Sequence, residues 1–308
     1  MTRERGEARL SFHEQISSNK RKSLVLVASI LLVLILIGYV ISFAFDPGFF
    51  FVIMVLSIII SISYTIFGYY NSDRIAIASA GAWLADATHY REYHNIIEGL
   101  CLASGLPKPK LYVMHGSQIN AFATGRDWNH AAVCVTEGAL QKLSKHELEG
   151  VLAHELSHVA NYDVRFMTLS AILIGMIAII SEMFLRSLWF GGGGGRGGGR
   201  DDSRSGAILM LIGIVLAILA PIAANLVGLA ISRKREYTAD ASGVKFVRSP
   251  TGLRNALIKI KNEGEGNKLK VSKAIAPLFM SDPLKKRVSG LFQTHPPLEK
   301  RIAILERM

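Results

Sequence analysis

Two apolar runs laid almost end to end constrain this chain more than any other feature. Residues 24–45 and 49–70 carry no charged side chain, and only Asp46-Pro47-Gly48 separates them. Each run is long enough to cross a hydrocarbon layer of about 30 Å as a helix. The short Pro/Gly link leaves room only for a tight turn, so residues 24–70 read as a membrane hairpin. The first run is too long for a signal-peptide core and no small-residue cleavage site follows it, so it is expected to remain as an anchor. Two more stretches follow, the first of them weaker. Residues 166–190 contain Glu182 and Arg186 one helical turn apart, and residues 206–231 are uncharged but include Pro221, which a membrane helix tolerates. The fold class expected is an α-helical membrane protein with four transmembrane or membrane-associated helices.

Composition removes the competing classes. Charged residues make up 19% of the 308, against about 25% in soluble domains, and the deficit falls in those four stretches. Cys101 and Cys134 are the only cysteines, too few for a disulfide framework or a thiolate metal cluster. Net charge is +11, and residues 232–308 hold 17 Lys/Arg against 7 Asp/Glu. With no nucleic-acid-binding module in view, that surplus is assigned to anionic lipid headgroups rather than to nucleic acid. Arg3, Arg5, Arg9, Lys20, Arg21 and Lys22 precede the first span, and Arg233-Lys234-Arg235 follows the last. They outweigh Arg196, Arg200 and Arg204 and place both ends in the cytoplasm by the positive-inside rule.

Five segments result: an N-terminal cytoplasmic stretch (1–23), the first hairpin (24–70), a polar piece (71–163), a second hairpin (164–231) and a C-terminal polar piece (232–308). The two polar pieces together suit one domain interrupted by membrane. The glycine-rich loop at 191–205 lacks the Lys-Ser/Thr of a phosphate cradle. The first polar piece reads as helical from about 75 to 104, then as short strands near 110–114, 119–124 and 131–136. This makes the domain mostly α, of α+β type. Ser144 with Glu147 three residues later is a capping box, and it opens a helix whose apolar face is Leu148, Val151, Leu152, Leu156 and Val159.

That helix carries His154-Glu155-Leu156-Ser157-His158. On a helix, His154 and His158 project from one side a turn apart and can take adjacent corners of a tetrahedral zinc site. Glu155, beside the first ligand, is placed to take a proton from water rather than to bind the metal. A third ligand is required. Asn161 and Val164 exclude the close-spaced third histidine of the metzincin pattern. Glu236, in Arg235-Glu236-Tyr237-Thr238-Ala239-Asp240, is the best candidate. Two spans separate it from the histidines, an even number, so it returns to their side of the bilayer. Asp240, a turn further on, can accept the second N–H of a ligating histidine and fix its tautomer.

In order along the chain stand the early hairpin, Asn120-Ala121-Phe122-Ala123, the His-Glu-Leu-Ser-His helix, a membrane hairpin, Glu236-Tyr237-x-Ala239-Asp240, and Thr294-His295-Pro296-Pro297 with Arg301. This set resembles the HtpX-type membrane zinc metalloproteases, relatives of the type I CAAX prenyl endopeptidases; the long glycine loop departs from the pattern. The resemblance implies a zincin-like catalytic domain and one Zn2+ per chain. It implies an edge strand at 118–124 on which Asn120, Ala121 and Phe122 bind extended peptide main chain. It also implies His295 and Arg301 near the metal, stabilising the oxyanion.

The function expected is therefore a membrane-bound zinc endopeptidase, and the resemblance implies that it acts on misfolded or damaged membrane proteins in a prokaryotic inner membrane. The alternatives are a processing protease with a dedicated substrate and a non-enzymatic scaffold or chaperone with a structural zinc. Glu155 argues against the last, since a structural site needs no base.

Overall fold

The computed structural model describes residues 50–170, 233–263, 275–281 and 296–308, with positions 17, 19–21, 23–29, 31, 32, 34, 35, 39, 48, 213, 269 and 271. The glycine-rich loop, most of the second hairpin and His295 lie outside the described residues. Among those described, one helix is long and apolar enough to cross a membrane, α1 (Phe50–Tyr70). Its apolar side chains face outward, with Phe51 72% and Ile60 65% exposed, a surface that lipid and not water would stabilise. Tyr39 of the first apolar run meets Phe50 edge-on at 5.9 Å, so the two runs approach at their link.

The mostly helical stretch expected over 75–104 is two helices with a short strand between them. α2 (Ser72–Ser79) stops before Gly81, whose φ of +61° is the left-handed region that glycine accepts without penalty. The two-residue strand β1 (Trp83–Leu84) then pairs antiparallel with β2 (Lys110–Met114). Asp86 Oδ1 accepts from the backbone N–H groups of Thr88 and His89, 2.9 Å each, turning the chain into α3 (Arg91–Ser104). α3 buries Tyr93, Ile96, Ile97 and Leu100, the one-sided spacing of an amphipathic helix.

β3 (Ala121–Gly125) and β4 (Ala131–Thr136) complete a four-stranded sheet in the order β1-β2-β4-β3. β2 and β4 run parallel and the other pairs antiparallel. Among the described residues β3 therefore stands at the end of the sheet, starting two residues later than the sequence suggests. After α4 (Glu137–Lys142) comes α5 (Lys145–Ala160), packed on the sheet with Val151, Leu152, Leu156 and Val159 buried against Val133, Val135 and Ile97. Full burial of such a side chain contributes about 1.5–3 kcal/mol.

α6 (Arg233–Val247) and α7 (Thr251–Asn262) flank α5, and α8 (Leu298–Leu305) closes the domain. Small residues let these helices approach backbone to backbone. A Cβ on Gly150 of α5 would lie 2.3 Å from Leu253 N of α7, and one on Gly243 of α6 would lie 3.0 Å from His154 N. The second contact is what brings α6 within reach of the histidines.

Candidate metal centre

α5 begins where the sequence indicates. Ser144 Oγ accepts from Glu147 N at 3.4 Å, and Glu147 Oε2 accepts from Ser144 N at 2.7 Å and from Lys259 Nζ at 2.6 Å. Burial pushes the Glu147 carboxyl up, but the bonds to Lys259 and Ser144 outweigh it and hold the carboxyl below its ordinary range. This cap sets the helix phase that aims the next residues inward.

Three turns on, His154, Glu155 and His158 are all buried, and so is Glu236 of α6. The imidazole rings stand 4.8 Å apart, nearly perpendicular. His154 Nε2 lies 3.7 Å from Glu236 Oε2, and His158 Nε2 lies 3.6 Å from Glu236 Oε1. One ligand atom from each of the three residues falls within 4.8 Å of the others. Zinc–ligand bonds of about 2.0–2.1 Å at tetrahedral angles separate ligand atoms by about 3.4 Å. The two imidazole-to-carboxylate separations are close to that spacing, and the two-nitrogen, one-carboxylate donor set is one that suits zinc.

Both remaining ring nitrogens are engaged. His154 Nδ1 donates to Asp240 Oδ1 at 2.9 Å, so Nε2 is the nitrogen turned toward Glu236. Arg301 from α8 forks onto the same carboxylate, Nε to Oδ2 at 2.9 Å and Nη2 to Oδ1 at 2.6 Å, while its Nη1 sits 3.4 Å from Glu236 Oε2. Burial disfavours the charge on Arg301, but Asp240, Glu236 and Glu155 more than offset it and raise its pKa. Asp240 shows the converse: burial pushes its carboxyl up, and Arg301 and His154 bring it below the usual range. For His154, burial and Arg301 press the pKa down, yet the bonds to Asp240 and Glu236 prevail and raise it to about 9.

His158 Nδ1 donates to Asp163 Oδ2 at 3.2 Å. Sequence reasoning gave Asp163 no role. Its signal was an acid five residues after the second histidine, just past the helix end, where Tyr162 at φ +60° turns the chain back. The fully buried Asp163 also receives Arg235 Nε at 3.3 Å on Oδ1. Arg301 likewise reaches the centre mainly by gripping carboxylates, and only Nη1 is without a hydrogen-bond acceptor.

Asn120, Ala121 and Phe122 lie at the start of β3, all buried. Residues of the same chain cover that end of the strand. Met280 N donates to Ala121 O at 2.9 Å, Asn120 Nδ2 to Ser281 O at 2.9 Å, and Ser281 N to Asn120 Oδ1 at 3.2 Å. The Phe279 ring packs 4.8 Å from Phe122.

Known proteins match this chain over most of its length. Residues 87–308 match the family described as Peptidase family M48. The chain is 44% identical over 298 residues to a protein named Protease HtpX homolog from Caldanaerobacter subterraneus subsp. tengcongensis, covering 97% of this chain and 98% of that one. A protein of the same name from Thermoanaerobacter pseudethanolicus is 42% identical over 301 residues, covering 98% and 99%. Among solved structures, the crystal structure of S. mikatae Ste24p aligns with a TM-score of 0.49 at 22% identity, covering 95% of this chain and 66% of that one.

Proposed function

The chain belongs to peptidase family M48, and from that premise we propose that it is a membrane-bound zinc endopeptidase with His154, His158 and Glu236 as metal ligands. The observation that carries the reading is the convergence of two imidazole Nε2 atoms on one buried carboxylate. When bound, zinc supplies a Lewis acid for the scissile carbonyl and acidifies the attacking water.

The chain's own residues do the rest. Glu155 takes the proton from the water as the C–O bond forms, and returns it to the amine nitrogen as the C–N bond breaks. Its carboxylate is close enough to help hold the charge on Arg301. Asp240 and Asp163 keep each histidine in the tautomer that presents Nε2. Arg301 fixes Asp240 and keeps Nη1 for the negative charge that grows on the carbonyl oxygen; His295 is the proposed second donor.

Substrate binds as an extended strand against β3 at Asn120, Ala121 and Phe122, which captures main chain without regard to side chains. Since Met280 and Ser281 already use the Ala121 carbonyl and the Asn120 amide, an incoming strand takes these positions by displacing them. Such sequence-tolerant capture beside α1 suits misfolded or damaged membrane proteins of a prokaryotic inner membrane. The catalytic pieces then lie on the cytoplasmic face, with the basic C-terminal piece against anionic headgroups.

The test is cleavage of an unstructured protein by the full chain in detergent, before and after zinc removal. Loss of cleavage on chelation and its return with one zinc per chain supports the reading. Cleavage that ignores chelation, or zinc-loaded protein that cuts nothing, contradicts it.

A further inference from the structure

The stretch that leads into the first apolar run reaches the metal centre. Asn19 is 6% exposed, although it precedes a membrane segment by only a few residues. Its amide nitrogen donates to Asp163 Oδ1 at 2.8 Å and to the Asn161 carbonyl at 2.9 Å. Asp163 Oδ2 in turn accepts from His158 Nδ1. Next along the chain, Lys20 Nζ sits 4.3 Å from the centroid of the Tyr162 ring, whose other neighbour is Trp128 at 5.2 Å. The turn 161–163, which carries a non-glycine residue at positive φ, is thus gripped at all three of its residues by two side chains of the N-terminal stretch.

We propose that Asn19 is a positioning residue for the metal site, acting through Asp163 on His158. This rests on the zinc reading above. The chemistry explains the residue type. A carboxylate that accepts from an imidazole N–H on one oxygen is oriented by donors held on its other oxygen. Arg235 supplies one such donor at 3.3 Å, and the Asn19 amide supplies the shorter one. The amide donates to Oδ1 and so orients the carboxylate with Oδ2 toward His158 Nδ1, which turns the other ring nitrogen, Nε2, to Glu236. The same amide nitrogen also bonds the Asn161 carbonyl, so the donor that orients the carboxylate is itself fixed against the backbone of the turn. The consequence is that the membrane anchor and the metal centre are one mechanical unit. The site is complete only when the N-terminal stretch is docked.

The experiment measures zinc affinity of the full chain in detergent by competition with a chelator, together with the absorption bands of the Co2+-loaded protein. The proteins are native, Asn19→Ala, Asn19→Asp, Asp163→Asn and the double variant Asn19→Ala/Asp163→Asn; melting of each metal-free protein reports folding. Removing the outer partner of a metal-binding histidine weakens metal affinity by about 10–100-fold, so Asp163→Asn falls in that range. Asn19→Ala, one bond further out, is expected to lose about 3–10-fold by the same scale and to shift the Co2+ bands. Asn19→Asp, which sets a second carboxylate against Asp163, loses more than Asn19→Ala while keeping the side chain's shape. The double variant loses no more than Asp163→Asn alone, because the pathway is already cut.

Zinc affinity and Co2+ bands unchanged in Asn19→Ala, or a loss that adds in full to that of Asp163→Asn, overturn the inference. Native chain that binds no zinc overturns the zinc reading itself, and this inference with it.

Discussion

His154 and His158 each hand Nδ1 to an aspartate, yet the two aspartates are held in different ways. Asp240 is gripped by the buried guanidinium fork of Arg301, from a helix near the C-terminus. Asp163 is held by a neutral amide from the N-terminal stretch and by Arg235 at a longer distance. The first is a dense charge cluster inside the polar domain. The second is a hydrogen-bonded turn tied to the N-terminal stretch. The difference teaches that one histidine-bearing helix is held from two directions, by a buried charge cluster on one side and by hydrogen bonds from the N-terminal stretch on the other.

The largest effect expected is from Arg301→Met. It leaves the buried carboxylates of Asp240 and Glu236 without their cation, and breaking such a pair costs about 3–5 kcal/mol. Thermal melting in detergent should show the metal-free variant strongly destabilised. Arg301→Lys should not restore it, since an ammonium cannot reproduce the fork. Arg235→Met on the other side should cost less, because Asn19 still holds Asp163.

Next come the two aspartates themselves. Asp240→Asn and Asp163→Asn should each weaken zinc binding, by about 10–100-fold, with Asp240→Asn the greater because it also strands Arg301. Equal losses in a chelator competition would erase the distinction between the two sides.

Much of the His154 side was legible in the sequence, for physical reasons. The capping box, the helical spacing of the histidines and the register of Glu236 with Asp240 are all local patterns, and local periodicity survives in one dimension. The strands at 110–114 and 131–136 were legible for the same reason. The break in 75–104 was not, because two residues pairing with β2 leave almost no pattern of their own. Nor was the link from Asn19 to Asp163, which spans 144 residues. A single polar side chain near an apolar run looks like any solvated flank until the fold supplies its partner. Arg301 was legible as a residue of the centre through resemblance, but its fork onto Asp240 required the packing of α8 against α6.

The smallest effect expected is at the start of the shared helix. Glu147→Gln removes one partner of the cap and its ion pair with Lys259, at a cost of about 1 kcal/mol. Glu147 titrates lower in the folded chain than in the unfolded one. Its contribution is therefore present above the ordinary carboxylate pKa of about 4.3 and is lost as pH falls through the folded value. The gap in melting temperature between native and Glu147→Gln should accordingly close as the solution is acidified. A gap that widens on acidification would contradict the assignment.

The central claim is that the two sides converge on a metal that His154, His158 and Glu236 hold and that Glu155 serves as base. The most direct measurement is zinc content and peptide cleavage of the Glu155→Gln protein beside the native chain, on the same preparation. The account predicts one zinc per chain in both and cleavage only in the native protein. Glu155→Gln that still cuts at the native rate, or that loses its zinc along with its activity, would contradict it.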